Sequence, residues 1–394
     1  MIVGYCLNVH PGEGWNDLRQ AVETFAVPIG TRWRGKCPYG LGLRLSGRTV
    51  AELERLDAVE EADRFFARQP VRPFTVNAFP HGAFHGQRVK EQVYAPDWSD
   101  PERLRYTLGA ARLLAGWLRE GEIGSISSVP LGFREALGHP DFLEAASTQL
   151  LAWVEFAVQL EASTGRQLVL ALEPEPGCAL ETTAELLVFL ERWVWVRCQD
   201  ETLARRHLGI CLDLCHAAVQ FEDLGESLRQ CQAAGVAVAK VQVSNALAIR
   251  NDAESRHVLA RFIEPVYLHQ VSLRRSGGEI RRWLDLDQAV ADLADEEAGS
   301  EVRVHFHVPL TFIGNGPLQP TLGATEDEVW KQLNKGISTH LEVETYTFAV
   351  LPEGVRPGGL SEMLMGEMDW LENRLDMAGS PLMERSGASN PEGS

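Results

Sequence analysis

The chain has no basic run or stripe, no long unbroken apolar segment and no closely paired cysteines. Each absence excludes something. A net charge of −18 over 394 residues offers no surface for neutralising phosphates, so nucleic acid is not an expected partner, and anionic membrane surfaces are disfavoured likewise. The most apolar helix-like stretch, ELLVFLERWVWV, is broken by Glu191 and Arg192, which argues against direct membrane insertion. The opening MIVGYCLNVHPGEGW has no basic segment ahead of an apolar one and soon meets His10 and Pro11, so a cleaved leader is not expected. Seven cysteines, an odd number, are scattered through apolar segments without a C-x-x-C pair, and Cys211 and Cys215 stand four apart. They read as buried free thiols in a reducing compartment, the cytoplasm. There is no G-x-G-x-x-G after a strand, no Walker loop, no H-E-x-x-H and no G-x-S-x-G elbow.

What is present fits one α/β barrel with insertions: 45% apolar residues supply a core, and 23% charged is ordinary for an enzyme of this size. Strand-like runs recur at 2–9, 41–46, 74–79, 123–133, 168–173, 208–213, 236–244, 302–310 and 340–345. Helix-like stretches with apolar residues at three-to-four spacing separate them. Asp100-Pro101 opens one helix, and Thr182-x-x-Glu185 reads as a capping box for another. This alternation predicts a parallel sheet closed into a (β/α)8 TIM barrel. Nine runs are one more than such a barrel needs. The surplus is expected between 246 and 310, where FIEPVYLHQVSLRRSGGEIRRWLDL reads as a β-hairpin turning at Ser276-Gly277-Gly278, inserted at about 262–285. Whether 302–310 belongs to barrel or insertion stays open. The barrel is expected to be one domain over 1–375, with 376–394 a disordered tail.

Four segments carry the chemistry: LVLALEPEP (168–176), HLGICLDLCH (207–216), AVAKVQVSN (237–245) and HLEVETYTF (340–348). Each starts apolar and ends on a carboxylate, an amide or a histidine, as barrel strands do when they present side chains at their C-terminal mouths. Glu173 cannot be buried at its strand end without a partner, while alternation turns Glu175 elsewhere. Asp213 is either a helix N-cap or a ligand, with His216 three residues on. Glu342 and Glu344 share a face, Glu344 nearer the mouth and Glu342 ion-paired inside. His305 and His307 also share one face. Gln242, in mid-strand, is either a ligand or a structural amide. Carboxylates with imidazole suit one divalent cation, Mn, Mg, Co or Zn, and the candidate ligands are Glu173, Asp213, Gln242, His307 and Glu344. Glu173, Glu344 and His216 are the candidate catalytic groups. Candidates for contacting a small-molecule substrate are Asn8, His10, Arg44, Asn77, His85 (in the loop FPHGAFHGQRVKEQ) and His269. Some of the ten tryptophans could line an apolar mouth, although most read as core.

At EPEP, CLDLCH, KVQVS and EVET the chain resembles the xylose-isomerase-like barrels, which include sugar isomerases, epimerases and family-2 endonucleases. In the isomerase and epimerase branch, strand-end Glu, Asp, His and Glu bind one divalent cation and the two glutamates act as acid and base. The resemblance implies those roles for Glu173, Asp213 and Glu344, with His216 hydrogen-bonding a substrate oxygen. Gln242 departs from the family's K-x-x-H pattern, which hands the fourth ligand position to His269, His305 or His307. Over nearly its whole length, through YCLNVHPGEGW, GLRLS, FPHGAFHGQRVKEQVYAPDW, SISSVPLGF, LEPEPGC, CLDLCHAAV, YLHQV, VHFHVPL and HLEVETYTF, the chain resembles the metabolite-traffic protein EboE family. That implies a functional link to prenyltransferase-like and membrane proteins of the same operon. The expected function is a metal-dependent isomerase or epimerase of a small polar carbonyl metabolite, working by proton abstraction between two glutamates. The alternative is a non-catalytic binding or traffic protein for a prenylated terpenoid precursor. A nuclease would need several metal ions and a basic groove, which the acidic balance disfavours.

Overall fold

Runs of Val, Leu and Ile that are apolar on both faces form stable strands only when covered on both sides, and here they are. The computed structural model describes residues 1–324 and 327–377. The strands run β1 (Ile2–Tyr5), β2 (Leu41–Arg44), β3 (Pro73–Asn77), β4 (Ile123–Ser128), β5 (Gln167–Leu172), β6 (Leu208–Asp213), β7 (Ala237–Val243), β8 (Leu247–Arg250), β9 (Val271–Arg274), β10 (Ile280–Trp283), β11 (Glu301–Val304), β12 (Gln319–Pro320) and β13 (His340–Val343). Eight of them make one parallel sheet in the order β1-β13-β7-β6-β5-β4-β3-β2. Between β1 and β2 only the bridges Val3–Tyr39 and Cys6–Gly42 form, so the TIM barrel is nearly closed.

Helices cover its outside. Asp100 accepts the Glu102 amide at 2.9 Å, and Pro101 occupies the first turn of the helix Pro101–Trp117. Thr182 caps the helix Thr183–Phe189 by accepting the Glu185 amide at 3.2 Å. No helix among the described residues is long and apolar enough to cross a membrane.

The barrel interior is polar in its lower part. Thr75, Ser125 and His340 are linked by contacts of 2.7 and 2.8 Å. Above them the Lys240 ammonium meets the Glu342 carboxylate at 2.5 Å, both fully buried, as expected for Glu342. Burial opposes the lysine's charge, but Glu342, with Cys211 and Cys6 adding to it, holds the Lys240 pKa above the ordinary value. Gly42 is needed there, because a Cβ would come 1.7 Å from Glu342 Oε1.

The surplus run is resolved by a second sheet, antiparallel, in the order β10-β9-β11-β8-β12. The expected hairpin is its β9–β10 pair, with Gly278 at φ +87° in the turn. The insertion is larger than 262–285, however. It runs from β8 through β12 and has its own core, which includes Leu273, Trp283, Val302 and Phe306. Residues 302–310 supply no barrel strand: β11 is central in the second sheet, and the chain then leaves as an extended segment, His305–Pro309. The expected tail begins too early, because the last helix continues to Met377; 378–394 lie outside the described residues.

Candidate metal centre

The first glutamate after β5, the aspartate ending β6 and the glutamate after β13 meet at the barrel mouth. Donor atoms of Glu173, Asp213 and Glu344 all lie within 4.8 Å of one another, and all three residues are buried. Two metal–oxygen bonds span about 5 Å, so one cation can reach all three. Asp213 meets the cap reading with one oxygen and leaves the other free for the ligand reading. Its Oδ1 caps the helix Leu214–Val219, accepting the His216 amide and the Ser244 hydroxyl at 2.8 Å each. Its Oδ2 is buried without a partner, as is Glu173 Oε2. Glu344 Oε1 accepts the side-chain amides of Asn8 at 2.6 Å and Asn77 at 3.1 Å.

Burial raises the Glu173 pKa well above the carboxylate range, and the Asp213 charge adds to it. Glu344 is raised by burial and then by Glu173 and Asp213. Carboxylates so crowded and desolvated favour a cation among them. Oxygen-only donors with two orphaned oxygens fit a hard or borderline divalent ion.

Gln242 is fully buried on β7, in register with Asp213 and Glu342. Its Oε1 has only the Cys211 thiol, at 3.6 Å, and its Nε2 has no partner. The amide therefore sits at the level of the centre with weak commitments. His216 lies at the same mouth, its Nδ1 3.7 Å from Glu173 Oε1 and 3.1 Å from the Pro174 carbonyl. His307 has a donor atom within 4.8 Å of those of Asp213 and His216.

Above the carboxylates opens a cavity of about 510 Å³, counted out to solvent, with Glu173, Glu344, Asn8, Asn77 and His216 on its lining. An aromatic wall formed by Phe79, Phe84, Tyr94, Tyr267 and Tyr346 faces them. The loop after β3 is pinned across this mouth to the insertion: the Val89 and Lys90 amides donate to Val266 O at 2.8 and 3.1 Å, and Lys90 pairs with Asp285.

Four expected substrate contacts lie elsewhere, and none lines the cavity. His10 bonds Tyr5 at 2.9 Å and stacks on Phe25. Arg44 grips both carboxylate oxygens of Glu13. His85 bridges Asn8 O and the Tyr267 hydroxyl at 2.6 and 2.8 Å. His269 is spent on His305 O and Glu264, at 2.8 and 2.9 Å. Conversely, Glu175, expected to turn away, is buried and lines the cavity. Burial pushes its pKa up to about 8, against the pull of the Tyr94 hydroxyl that donates to it at 2.9 Å. Pro174 and Pro176 take the chain off the strand, so strand alternation no longer applies there. Tyr94 and Gln270, which brace this corner, carry no local sequence signal.

No family model matches the chain, and no curated protein matches it in sequence. Among solved structures, a D-tagatose 3-epimerase-like protein matches with a TM-score of 0.50 and 11% identity, over 97% of this chain and 100% of that one. The IolI protein, solved with a zinc atom, gives 0.47 and 12%, over 96% and 100%. A xylose isomerase domain protein from Alicyclobacillus acidocaldarius subsp. acidocaldarius gives 0.44 and 12%, over 96% and 99%. Identities this low speak for the fold alone, an eight-stranded α/β barrel.

Proposed function

We propose that this chain is a divalent-cation-dependent isomerase or epimerase acting on a small polar carbonyl compound. The observation that carries the reading is the buried triad Glu173, Asp213 and Glu344, within one cation's reach and with two oxygens lacking any partner. These three would hold the ion, with Gln242 beside them. When bound, the ion polarises the substrate carbonyl and so acidifies the neighbouring C–H. On this reading Glu173 and Glu344, at the ends of β5 and β13, would take the proton and return it. Asn8 and Asn77 fix the orientation of Glu344. The Nδ1 of His216 is engaged by Pro174 O, and its Nε2 lies 3.1 Å from His305 Nε2. The pinned loop and aromatic wall keep water from the reacting carbon. A solved neighbour of this fold, a D-tagatose 3-epimerase-like protein, supports this reading. The place of work is the cytoplasm, where seven free thiols stay reduced.

The test is deuterium uptake from solvent into a panel of keto and aldo sugars. Exchange is expected with at least one member and should vanish in Glu173→Gln and in Glu344→Gln, because an amide cannot accept the proton. No exchange on any member, with the cation loaded, would contradict the reading.

A second reading is favoured by the aromatic wall of the cavity. On it, the cavity binds a prenylated precursor and hands it on, as the resemblance to the EboE family implies, working alongside prenyltransferase-like and membrane proteins. A metal-free protein that binds a prenylated ligand would support it.

A further inference from the structure

We infer that His216, His305 and His307 form a second cation site, built for a borderline first-row ion such as zinc and distinct from the carboxylate triad. It does not depend on the isomerase reading. The three rings come from two places: His216 from the helix after β6, His305 and His307 from the extended segment that leaves β11 of the insertion. All three are buried.

The hydrogen positions follow from their neighbours. His216 Nδ1 faces the Pro174 carbonyl at 3.1 Å, and His307 Nδ1 faces the Glu344 carbonyl at 2.9 Å. His305 Nδ1 faces Gln270 Oε1 at 2.6 Å. That amide cannot be reversed, because Gln270 Nε2 donates to the Pro176 carbonyl at 2.8 Å. Each Nδ1 therefore meets an oxygen that only accepts, and each carries the hydrogen. A neutral ring so arranged has a bare lone pair on Nε2.

The Nε2 atom of His305 stands between the other two. His216 Nε2 is 3.1 Å from His305 Nε2, which is 3.2 Å from His307 Nε2. No neutral ring can donate to another here, and facing lone pairs at that distance repel. Two nitrogens bound to one ion at about 2.05 Å and subtending roughly 100° would stand at this separation, between octahedral and tetrahedral geometry. The backbone and amide acceptors behind each ring are the outer partners that ligating histidines use to fix their tautomer. Asp213 offers a carboxylate oxygen within 4.8 Å of donor atoms of His216 and His307. Nitrogen donors select zinc, cobalt or iron over magnesium or calcium. His216 and His305 also line the cavity, so an ion there keeps a coordination position facing a ligand oxygen.

The test uses the whole protein, stripped with chelator and titrated with Zn²⁺, with bound metal counted per chain and histidine ¹⁵N signals followed by NMR. About two equivalents are expected, one lost in His305→Ala and in His307→Ala, the other lost in Glu344→Gln. Gln270→Ala, which removes only the outer partner of His305, should weaken the imidazole-bound equivalent about 10–100-fold. In the unsubstituted protein, zinc should shift three Nε2 resonances, a readout that survives any failure of a variant to fold. A single equivalent that Glu344→Gln removes, with all three Nε2 signals unmoved, would overturn this site and spare the carboxylate one. A single equivalent lost only with the histidine variants would do the reverse. Nε2 signals already those of a protonated, proton-bridged cluster, and unmoved by zinc, would also overturn it.

Discussion

Single residues in this barrel hold more than one duty, and their atoms divide the work. Asp213 caps a helix with Oδ1 and leaves Oδ2 without a partner, so the cap reading of the sequence holds and does not exclude the ligand one. Glu367 shows the cost of a buried acid. Its Oε1 accepts the Thr345 hydroxyl at 2.6 Å and the Leu310 amide at 3.0 Å, tying the last helix to the end of β13, while Oε2 has no partner. Burial pushes its pKa up from 4.5 to about 7, against the pull of those two hydrogen bonds. An acid raised on folding keeps its proton after the unfolded chain has lost it. Its contribution is therefore full below about pH 4.5 and is lost as pH rises towards 7. Urea unfolding at pH 5 and pH 8 should show Glu367→Gln losing less stability across that interval than the parent, by up to about 1.4 kcal/mol per pH unit within the window. An equal slope in both proteins would show that Glu367 does not titrate there.

Elements were legible where one physical rule governed them. Continuous apolar runs closing on Glu173, Asp213 and Glu344 marked buried parallel strands, whose ends bring these three carboxylates together. The run at 302–310 stayed open because its period of two, Val302, Val304, Phe306, Val308, is also that of a half-buried antiparallel strand. Arg303 and Glu301, partly exposed between buried neighbours, carried the distinction. His10, Arg44, His85 and His269 looked functional because they lie near strand ends or in a mouth loop, but what each touches is set by long-range packing that no local window contains. Among these packed pieces, the loop after β3 is held over the mouth by the insertion through Lys90 and Asp285. Asp285→Asn keeps the acceptor that caps its own helix and weakens the pair. Hydrogen exchange should then speed up at residues 84–94 and not in the barrel strands; unchanged exchange in the loop would mean the backbone bonds to Val266 suffice.

At the scale of the whole molecule, a barrel with a polar lower interior is bolted by one buried ion pair rather than filled by branched side chains alone. Lys240 and Glu342 have no exposure, and removing one partner leaves the other charged in a dry interior. Lys240→Met should destabilise the fold by about 3–5 kcal/mol, and adding Glu342→Gln should restore part of that loss. Denaturant midpoints of the two variants check it. No recovery in the double variant would mean that packing, not charge, sets the cost. The overall acidity of the chain, −18, sharpens the same question at the mouth, where three more carboxylates crowd and Lys240, already paired with Glu342, offsets only part of the rise in the Glu173 and Glu344 pKa values.

The measurement that bears most directly on this is metal analysis of the purified, desalted protein beside Glu173→Ala. The account predicts at least about one divalent ion per chain retained through desalting, and loss of the carboxylate-bound ion in the variant with the barrel still folded. A protein that holds no ion, takes up none when manganese or zinc is added in excess, and behaves identically with and without Glu173 would contradict it.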